Sequence, residues 1–458
     1  MNRYPNYALA NLPWLDKIPS HWSLERNKTI FKETKDTVGE NASSFRLLSL
    51  TKNGIILRDM ASGKGKFPKD FDTYKVVEIG DMAFCLFDID ETPRTVGLSG
   101  YNGMLTGAYT IFHVRNINSR YVYYYYLSLD NVKALRPLYS GLRKTINVDT
   151  FLGTKLPVPP REEQDQIVRF LDWKVSGINK LISIRKKEIL SLEELKKSKI
   201  SRAVTKGLNL NIPLIDSGVE WVGKIPRGWE LVPIKHLFKI YSGATPKSDM
   251  AEYWDGDIIW ITPADYKTND RYIYNGSRNI TAAGFRSCST SIIPSGSIIF
   301  SKRAPVGTVA INKVDLCTNQ GCLSCIPKNG VFAEFYYYVM SILSDVFESV
   351  SAGTTFKEIS LSAFGSMKLQ YPPFSEQEAI VSFLDTEISQ IDKMVSLKKQ
   401  QIDKLVEMKE SLISDAVTGK IDVRGIEIPE YEYVGEEAGL SDDDIEDEET
   451  EETEEQED

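Results

Sequence analysis

The chain has 458 residues, of which 42% are hydrophobic, and a formal net charge of −9 at pH 7. At roughly 100 to 200 residues per domain this length predicts about three or four globular units. No apolar run approaches the ~20 residues of a membrane span, and no segment resembles a signal peptide. Five cysteines are an odd and small number for a disulfide framework. We therefore expect a cytoplasmic protein without a membrane partner.

The negative charge is concentrated at the C-terminus. Residues 436–458 contain 15 acidic and no basic residues, which leaves 49 acidic and 55 basic residues in the rest of the chain. The rest therefore carries about +6, which is compatible with an anionic partner. Like charges and few apolar residues predict that 436–458 do not fold. This tail is either a solubilising segment or a mimic of nucleic-acid phosphates that shields a basic groove.

The first part of the chain alternates short β-like runs, such as FRLLSL and YTIFHV, with turns, and a tyrosine-rich helical stretch follows. We predict a compact α+β domain with most of its strands in one sheet and with the tyrosines in its core. Small and basic loop residues suit phosphate contacts. The candidates are Lys64, Lys66, Arg94, Arg143, Lys144 and Thr145.

Residues 161–204 predict a long helix, because they contain no proline, one glycine and apolar residues at alternating spacings of three and four. The apolar seam consists of Leu171, Val175, Ile178, Ile182, Ile189 and Leu192, with an interruption at Arg185. Such a heptad pattern predicts coiled-coil pairing, and a cation in the seam costs stability but can fix register. A helix of ~42 residues would be about 63 Å long.

The next part of the chain again has short β-like runs, such as DIIWIT and VGTVAI, before a tyrosine-rich helix. Tyr124–Tyr126 match Tyr336–Tyr338 with a shift of 212. The DNA-contact candidates are Ser242, Thr245, Lys247, Lys302, Arg303, Thr354, Thr355 and Lys357. Cys317, Cys322 and Cys325 form C-x4-C-x2-C, but no fourth ligand is apparent and the first part has no equivalent cysteines. We expect buried thiols and no metal site.

A second long helix repeats the first. Residues 159–205 align without a gap on 372–418, with 24 identities in 47 positions. The seam recurs at Leu384, Ile388, Ile391, Val395, Ile402 and Leu405, with Lys398 at the interruption. This internal repeat predicts that the two helices pack on each other, and its quasi-twofold symmetry favours an antiparallel coiled coil.

The sequence gives little indication of catalysis. Its three histidines, His21, His113 and His236, are scattered, and it contains no GxxxxGK[ST] loop, no GxGxxG opening a helix and no convincing cluster of nuclease carboxylates. We therefore predict that the chain is not an enzyme.

Four sets of motifs resemble one known family. They are IPSHW and IPRGW after Trp14 and Trp221, SGATPKSDMAEYWDGDIIWITPAD from Ser242, TNQG at Thr318–Gly321, and PP-x-x-EQ-x-x-IV-x-FLD at both helix starts. Together they are similar to the specificity subunit of type I restriction–modification systems over residues 1–430. The first half lacks the SGATP and TNQG forms, and its counterpart of Thr318 is Thr106.

This resemblance implies two divergent target recognition domains, 1–158 and 207–371, that alternate with spacer helices at 159–206 and 372–420. A connector and the acidic tail occupy 421–458. Each domain would read one half of a bipartite, asymmetric site in double-stranded DNA. The helices would set the gap and dock two methyltransferase subunits, and restriction/translocase subunits would join the complex. S-adenosylmethionine, ATP and Mg would act on those partners, while this chain would bind no cofactor.

Two other functions are compatible with the residues. A stand-alone DNA-binding protein would bind DNA tightly without partners, which a body charge of about +6 makes less favourable. A protein scaffold that uses the coiled coil would capture a partner in a salt-insensitive way and show no DNA affinity.

Overall fold

The computed structural model describes residues 2–58, 71–140, 144–266, 270–303, 305–352 and 357–435. The chain forms two compact units. Unit 1 comprises Met1–Ile189 with Leu397–Asp458, and unit 2 comprises Leu190–Ser396. Among the described residues, none of the helices combines the length and hydropathy needed to cross a membrane.

Unit 1 begins with short strands and ends with parts of both long helices. Its strands are β1 (Tyr7–Leu12), β2 (Leu15–Pro19), β3 (Ser23–Arg26), β4 (Phe31–Thr34), β5 (Leu48–Thr51), β6 (Gly54–Leu57), β7 (Lys75–Val77), β8 (Met82–Phe84), β9 (Val96–Leu98), β10 (Gly103–Leu105), β11 (Thr110–Val114) and β12 (Lys155–Val158). Its helices are α1 (Asn27–Ile30), α2 (Ser119–Asp130), α3 (Val148–Gly153) and the first part of α4 (Arg161–Lys206).

The largest sheet of unit 1 has the antiparallel order β4-β11-β8-β9. Helix α2 packs against β9 and buries four of its five tyrosines, and Phe84, Phe112 and Phe151 fill the core beside them. Asn118 caps α2, because its side chain accepts hydrogen bonds from the amides of the second and third helical residues. The tyrosine cluster is therefore core, as predicted.

The prediction that most strands of each domain share one sheet is wrong. In the described part of unit 1, the remaining strands form separate two-stranded ladders, β1-β2, β3-β12, β5-β6 and β7-β10. Strands of three to six residues leave little length for a common ladder, so the unit is held together by packing between small sheets.

Unit 2 repeats this plan. Its strands are β13 (Leu214–Asp216), β14 (Lys224–Pro226), β15 (Glu230–Pro233), β16 (Phe238–Ser242), β17 (Trp254–Ile261), β18 (Tyr272–Ile273), β19 (Arg278–Ile280), β20 (Ile298–Ser301), β21 (Val309–Asn312), β22 (Cys317–Thr318), β23 (Cys322–Pro327) and β24 (Lys368–Tyr371). Its helices are α5 (Ile234–Leu237), α6 (Ala282–Ser287), α7 (Ala333–Ser341), α8 (Ser344–Ser349), α9 (Leu361–Ser366) and the first part of α10 (Phe374–Val417).

The two units share a framework and differ in what is added to it. The order β16-β23-β20-β21 in unit 2 matches β4-β11-β8-β9 in unit 1, and β13-β14 and β15-β24 match β1-β2 and β12-β3. Unit 2 has an edge strand, β18, which pairs in parallel with β21, and a three-stranded sheet β19-β17-β22. At the corresponding place, the described part of unit 1 has the ladder β5-β6 and an isolated parallel bridge between Leu47 and Met104 of β10. The duplication therefore extends through the segments whose sequences diverge.

Both long helices start in the same way. Gln164 Nε2 donates to the carbonyl of Pro159 (2.8 Å), and Gln377 Nε2 donates to the carbonyl of Pro372 (2.9 Å). Each motif glutamine thus bonds to the first proline of the Pro-Pro pair that precedes its helix. The motif tryptophans reach the neighbouring glutamates, since Trp22 Nε1 donates to Glu163 (3.0 Å). Trp229 Nε1 donates to Glu376 at the same distance in unit 2.

The helices pair in antiparallel fashion within each unit. In unit 1, Lys398 Nζ lies 2.7 Å from Glu188 and Lys409 Nζ lies 3.5 Å from Asn179 Oδ1. In unit 2, Lys196 pairs with Asp392 (2.7 Å) and Lys199 with Glu387 (2.6 Å). In both units, residues farther along α4 contact residues that come earlier in α10. The predicted antiparallel arrangement is confirmed.

The connector after α10 packs along unit 1 as far as Gly435. Asp422 N donates to the carbonyl of Asn2 (2.8 Å), and Gln166 Nε2 donates to the carbonyls of Val423 and Ile426. Farther along, Ser176 Oγ donates to Glu432 O (2.9 Å) and accepts from Val434 N (2.7 Å). The connector is thus attached to the first half of α4. The acidic tail 436–458 lies outside the described residues.

Candidate nucleic-acid interface

Two motif loops of unit 2, Ser242–Pro246 and Thr318–Gly321, lie in direct contact. Ala244 N donates to Thr318 O (3.0 Å), and Thr245 Oγ1 hydrogen-bonds Gln320 Oε1. A Cβ at Gly243 would lie 2.0 Å from Thr318 O, so only glycine permits this approach of the two backbones. The two sequence motifs therefore form one surface locus.

Two tryptophans of β17 hold the first motif loop from beneath. Trp260 Nε1 donates to Ala244 O (3.0 Å), and Trp254 Nε1 donates to Lys247 O (3.1 Å). The guanidinium of Arg278 lies 4.0 Å from the centroid of the Trp254 ring, which is a cation–π distance. Lys247 and Arg278 are both exposed beside this loop. Arg278 is not among the predicted contacts, because its position beside Trp254 depends on the pairing of β19 with β17.

The motif loops expose hydrogen-bonding groups that are suited to base edges. Thr245 and Gln320 are exposed, and Asn319 is half-buried, with its Oδ1 accepting from Gly321 N (2.8 Å). Side-chain amides can bind adenine in a bidentate way, and lysine can contact phosphate or guanine. Gln320 and Asn319 belong to the TNQG motif but are not among the contacts that the sequence analysis predicts. The motif itself was the signal that could have identified them.

Two predicted cations of unit 2 are paired with one carboxylate. Glu358 accepts from Lys302 (2.8 Å) and from Arg303 (2.8 Å), and the hydrogen bond from Lys302, then that from Arg303, holds the pKa of Glu358 below its usual value despite partial burial. Lys302 N also donates to Gly321 O (2.9 Å), which joins this cluster to the second motif loop. Part of the local positive charge is therefore neutralised within the unit.

The two other described candidates of unit 2 adjoin these groups, because Ser242 begins the first motif loop and Lys357 precedes Glu358. Ser242 ends β16 and is exposed, whereas Lys357 forms an ion pair with Glu348 (2.6 Å). Thr354 and Thr355 lie outside the described residues.

In unit 1, Lys64, Lys66 and Arg143 lie outside the described residues. Arg94 is half-buried and donates to Lys52 O (2.6 Å) and to Tyr123 Oη (3.2 Å), so it supports a turn from within.

The last two candidates of unit 1, Lys144 and Thr145, are the first described residues after position 143. Lys144 pairs with Glu91 (2.7 Å), and the hydrogen bond from its ammonium to this carboxylate raises the pKa of Lys144. Thr145 is bridged to Ser140, whose amide donates to Thr145 O (3.0 Å). Among the described candidates of unit 1, Thr145 and Lys144 therefore lie beside Phe87 and Glu91, and both cations, Arg94 and Lys144, are engaged within the unit.

The three clustered cysteines are buried thiols. Cys317 lies on β22, and Cys322 and Cys325 lie on β23. Burial raises the pKa of Cys317 to about 11 and that of Cys322 to about 12, so neither is a thiolate near neutral pH. The described residues contain no group of three metal-ligating side chains.

The predicted seam is packed within the chain. Leu171, Val175 and Ile178 are buried in unit 1, and Leu384, Ile388 and Ile391 are buried in unit 2, whereas the other predicted seam residues, Ile182, Ile189, Leu192, Val395, Ile402 and Leu405, are half-buried. Buried residues have no surface for a partner. Their burial supports the coiled-coil part of the prediction, while partner docking by the six half-buried seam residues stays a prediction.

A second set of apolar residues on the long helices is exposed at matching positions of the two copies. The pairs, each separated by 213 residues, are Leu181 and Met394, Ile184 and Leu397, and Leu195 and Met408. Their exposed fractions run from 42% to 57%. We call these six residues the repeated apolar surface. The repeat contained the signal for them, because each is apolar in both copies yet lies outside the seam.

A family model for the type I restriction modification DNA specificity domain matches residues 89–199 and 226–407. The chain belongs to this family. The specificity subunit MjaIX of Methanocaldococcus jannaschii is 40% identical over 183 residues, which are 39% of this chain and 41% of that protein. The putative specificity subunit MjaX of the same organism is 26% identical and covers 90% of this chain and 96% of its own length.

A solved chain also shares the fold of this specificity-domain protein. It comes from a structure of the type I R-M system that describes complex assembly and conformational transition. It is 16% identical, has a TM-score of 0.66, and covers 88% of this chain and 99% of its own length. The expected fold class, α+β domains joined by long helices, is confirmed by this likeness and by the pairing of the helices.

Proposed function

We propose that this protein is the DNA-reading subunit of a type I restriction–modification complex. It recognises a bipartite, asymmetric site in double-stranded DNA, and each unit reads one half-site. The chain is not an enzyme in this role. Methyltransferase subunits carry S-adenosylmethionine and modify the DNA, and restriction/translocase subunits act with ATP and Mg.

The observation that carries this proposal is the shared framework with unlike reading loops. The four-stranded order recurs in both units, but the SGATP and TNQG motifs occur in unit 2 and are missing from the first half of the sequence. Two identical readers related by a twofold axis would favour a palindrome, whereas two different readers favour a site with unlike halves.

The partners of this complex have a candidate docking surface. The repeated apolar surface presents a similar set of side chains on α4 and α10, so two identical subunits could each bind one copy of it. Leu181 and Ile184, like Met394 and Leu397, are three residues apart and so lie on one face of their helix. Contiguous exposed apolar side chains mark protein interaction sites. We therefore propose a stoichiometry of two methyltransferase subunits to one copy of this chain.

Methylation sequencing tests the function. DNA from cells that express this chain with its methyltransferase partner should contain methylated adenines in one bipartite motif with a fixed gap. DNA from cells that express the partner alone should lack that methylation. Methylation that is independent of this chain, or none in its presence, would reject the proposal.

A domain exchange separates the two readers. Replacing residues 14–158 with the corresponding segment of a relative should change one half of the methylated motif and leave the other half and the gap unchanged. If both halves change together, the units do not read independently.

A further inference from the structure

Each long helix carries an aspartate that accepts hydrogen bonds from the part of its unit outside the long helices, which we call the reading domain. In unit 1, Tyr124 Oη donates to Asp172 Oδ1 (2.7 Å), and Arg120 Nη2 donates to the same oxygen (2.7 Å). Arg120 and Tyr124 belong to α2, and Asp172 belongs to α4. Two side chains of the reading domain thus converge on one carboxylate oxygen of the long helix.

Unit 2 contains the same cluster. Tyr338 Oη donates to Asp385 Oδ1 (2.7 Å), and Arg271 Nη1 donates to the same oxygen (2.5 Å). Arg271 directly precedes β18, and its carbonyl accepts from Ile311 N (2.8 Å) at the edge of the five-stranded sheet. Helix α7, a sheet edge and α10 therefore meet at one atom.

The two arginines occupy different places in the chain. The pairs Asp172–Asp385 and Tyr124–Tyr338 are related by shifts of 213 and 214, and the latter shift places Glu334, not an arginine, opposite Arg120. The hydrogen bonds also correct the sequence alignment, which matched Tyr124 with Tyr336. The arginine comes from α2 in unit 1 and from the residue before β18 in unit 2, so the tyrosine–aspartate pair is the feature that the two units share.

The setting of these clusters makes them sensitive to displacement. Burial raises the pKa of Asp172, although Arg120 and Tyr124 oppose this shift, so ionisation of the carboxyl group depends on its two donors. The Nε atoms of both arginines are buried and have no hydrogen-bond partner among the described residues. Hydrogen bonds of this length weaken steeply when donor and acceptor move apart by about 1 Å. The clusters thus oppose rotation of a domain on its helix.

We propose that Asp172 and Asp385 are positioning residues that hold each reading domain in one orientation on its long helix and thereby restrict the gap between half-sites that the protein accepts. This inference rests on the function proposed above. One additional base pair moves a half-site by about 3.4 Å and turns it by roughly 35°. A domain fixed to its helix by such short bonds cannot follow that movement, whereas a loosened domain can.

The test uses the complex with its methyltransferase subunits and a series of duplexes with cognate half-sites and gaps from two base pairs shorter to two longer. The variants are Asp385→Asn and Asp172→Asn, and the control is Glu378→Gln, an exposed acidic residue on α10. We expect both aspartate variants to methylate the cognate gap about tenfold less, in line with the loss of a charged hydrogen bond. For duplexes whose gap differs by one base pair, the ratio of methylation to that of the cognate duplex should rise. The control should keep the wild-type profile.

If methylation falls by the same factor at every gap length, the inference is overturned, because an equal fall indicates only less folded protein. Hydrogen exchange of the free chain gives a second readout. Asp385→Asn should speed exchange in α7 and leave α2 unchanged, and Asp172→Asn should do the reverse. Unchanged local exchange would also overturn it. A wild-type complex that methylates no bipartite duplex would reject the proposed function, while the exchange experiment would still decide whether the aspartates hold the domains.

Discussion

Lys398 and Glu188 form an ion pair across the two long helices, with Nζ 2.7 Å from Oε2. Glu188 also accepts from Arg185, the seam cation of its own helix, at 2.8 Å. The two cations that interrupt the apolar seam in the two copies therefore share one carboxylate. The position equivalent to Glu188 in α10 is Gln401, so the duplication supplies this anion only once.

Replacing Glu188 by glutamine should weaken the helix pair, because Lys398 and Arg185 lose their shared anion. The site is solvent-accessible, so we expect a fall in Tm of only about 1–2 °C at low salt. In 1 M NaCl the difference from wild type should largely vanish, since salt screens exposed charges. Glu193→Gln, an exposed residue on the same helix, is the control. A loss that persists at high salt would contradict an ionic origin.

The same variant gives a defined pH dependence. The hydrogen bond from Lys398, then that from Arg185, lowers the pKa of Glu188 in the folded protein. A carboxyl group with a lowered folded pKa stabilises the protein above its unfolded pKa of about 4.3, and this stabilisation is lost as pH falls through the folded value. The Tm difference between wild type and Glu188→Gln should therefore be constant near pH 7 and shrink below about pH 4.3. A difference that grows on acidification would contradict this sign.

The helices could be predicted from the sequence because their information is local and repeated. The seam from Leu171 to Leu192 recurs at Leu384 to Leu405, and a duplicated apolar stripe has one economical partner. The clusters at Asp172 and Asp385 could not be predicted in this way. Arg271 lies 114 residues from Asp385, and their contact depends on long-range packing that includes the pairing of β18 with β21.

The candidate site was predictable only in part. The contact of Gly243 with Thr318 follows from two motifs whose proximity no spacing rule gives. The candidate loop cations share only their residue type, yet Lys302 is held by Glu358, and Arg94 is half-buried and donates to Tyr123. Residue type alone therefore does not show whether the fold leaves the head group of a loop cation free for a phosphate.

Glu358→Gln should strengthen DNA binding by the complex, because it releases Lys302 and Arg303 beside the second motif loop. We expect a Kd about three- to tenfold lower at low salt and a salt dependence steeper by about one to two phosphate contacts. Fluorescence anisotropy over a salt series measures both quantities. Glu378→Gln removes the same charge far along the chain and should change neither. An equal gain in both variants would indicate a general charge effect.

The repeated apolar surface predicts two separable docking sites. The double variants Leu181→Ser/Ile184→Ser and Met394→Ser/Leu397→Ser should each reduce the number of bound methyltransferase subunits from two to one. The combination of all four changes should abolish assembly. These side chains are exposed, so Tm should change little. Native mass spectrometry counts the subunits, with Leu210→Ser as a control at an exposed, unrepeated position. Retention of two partners by both double variants would place docking elsewhere.

Gly243→Ala should impair reading by unit 2 alone. The new Cβ would lie 2.0 Å from Thr318 O and 2.4 Å from Asn319 O, so the two motif loops must separate. Because both contacts are backbone atoms, no side-chain rotation relieves them. A displacement of about 1 Å can cost roughly 100-fold in rate, and we expect methylation of the cognate duplex to fall about 10- to 100-fold.

Competition with half-substituted duplexes locates this defect. A competitor that keeps only the half-site read by unit 1 should inhibit the variant complex as it inhibits wild type. A competitor that keeps only the half-site read by unit 2 should no longer inhibit the variant. Gly100→Ala is the matched control, because a Cβ at Gly100 has no heavy atom within 4 Å. Equal loss of both competitors would mean that Gly243 supports the folding of the whole chain and not the reading surface of unit 2.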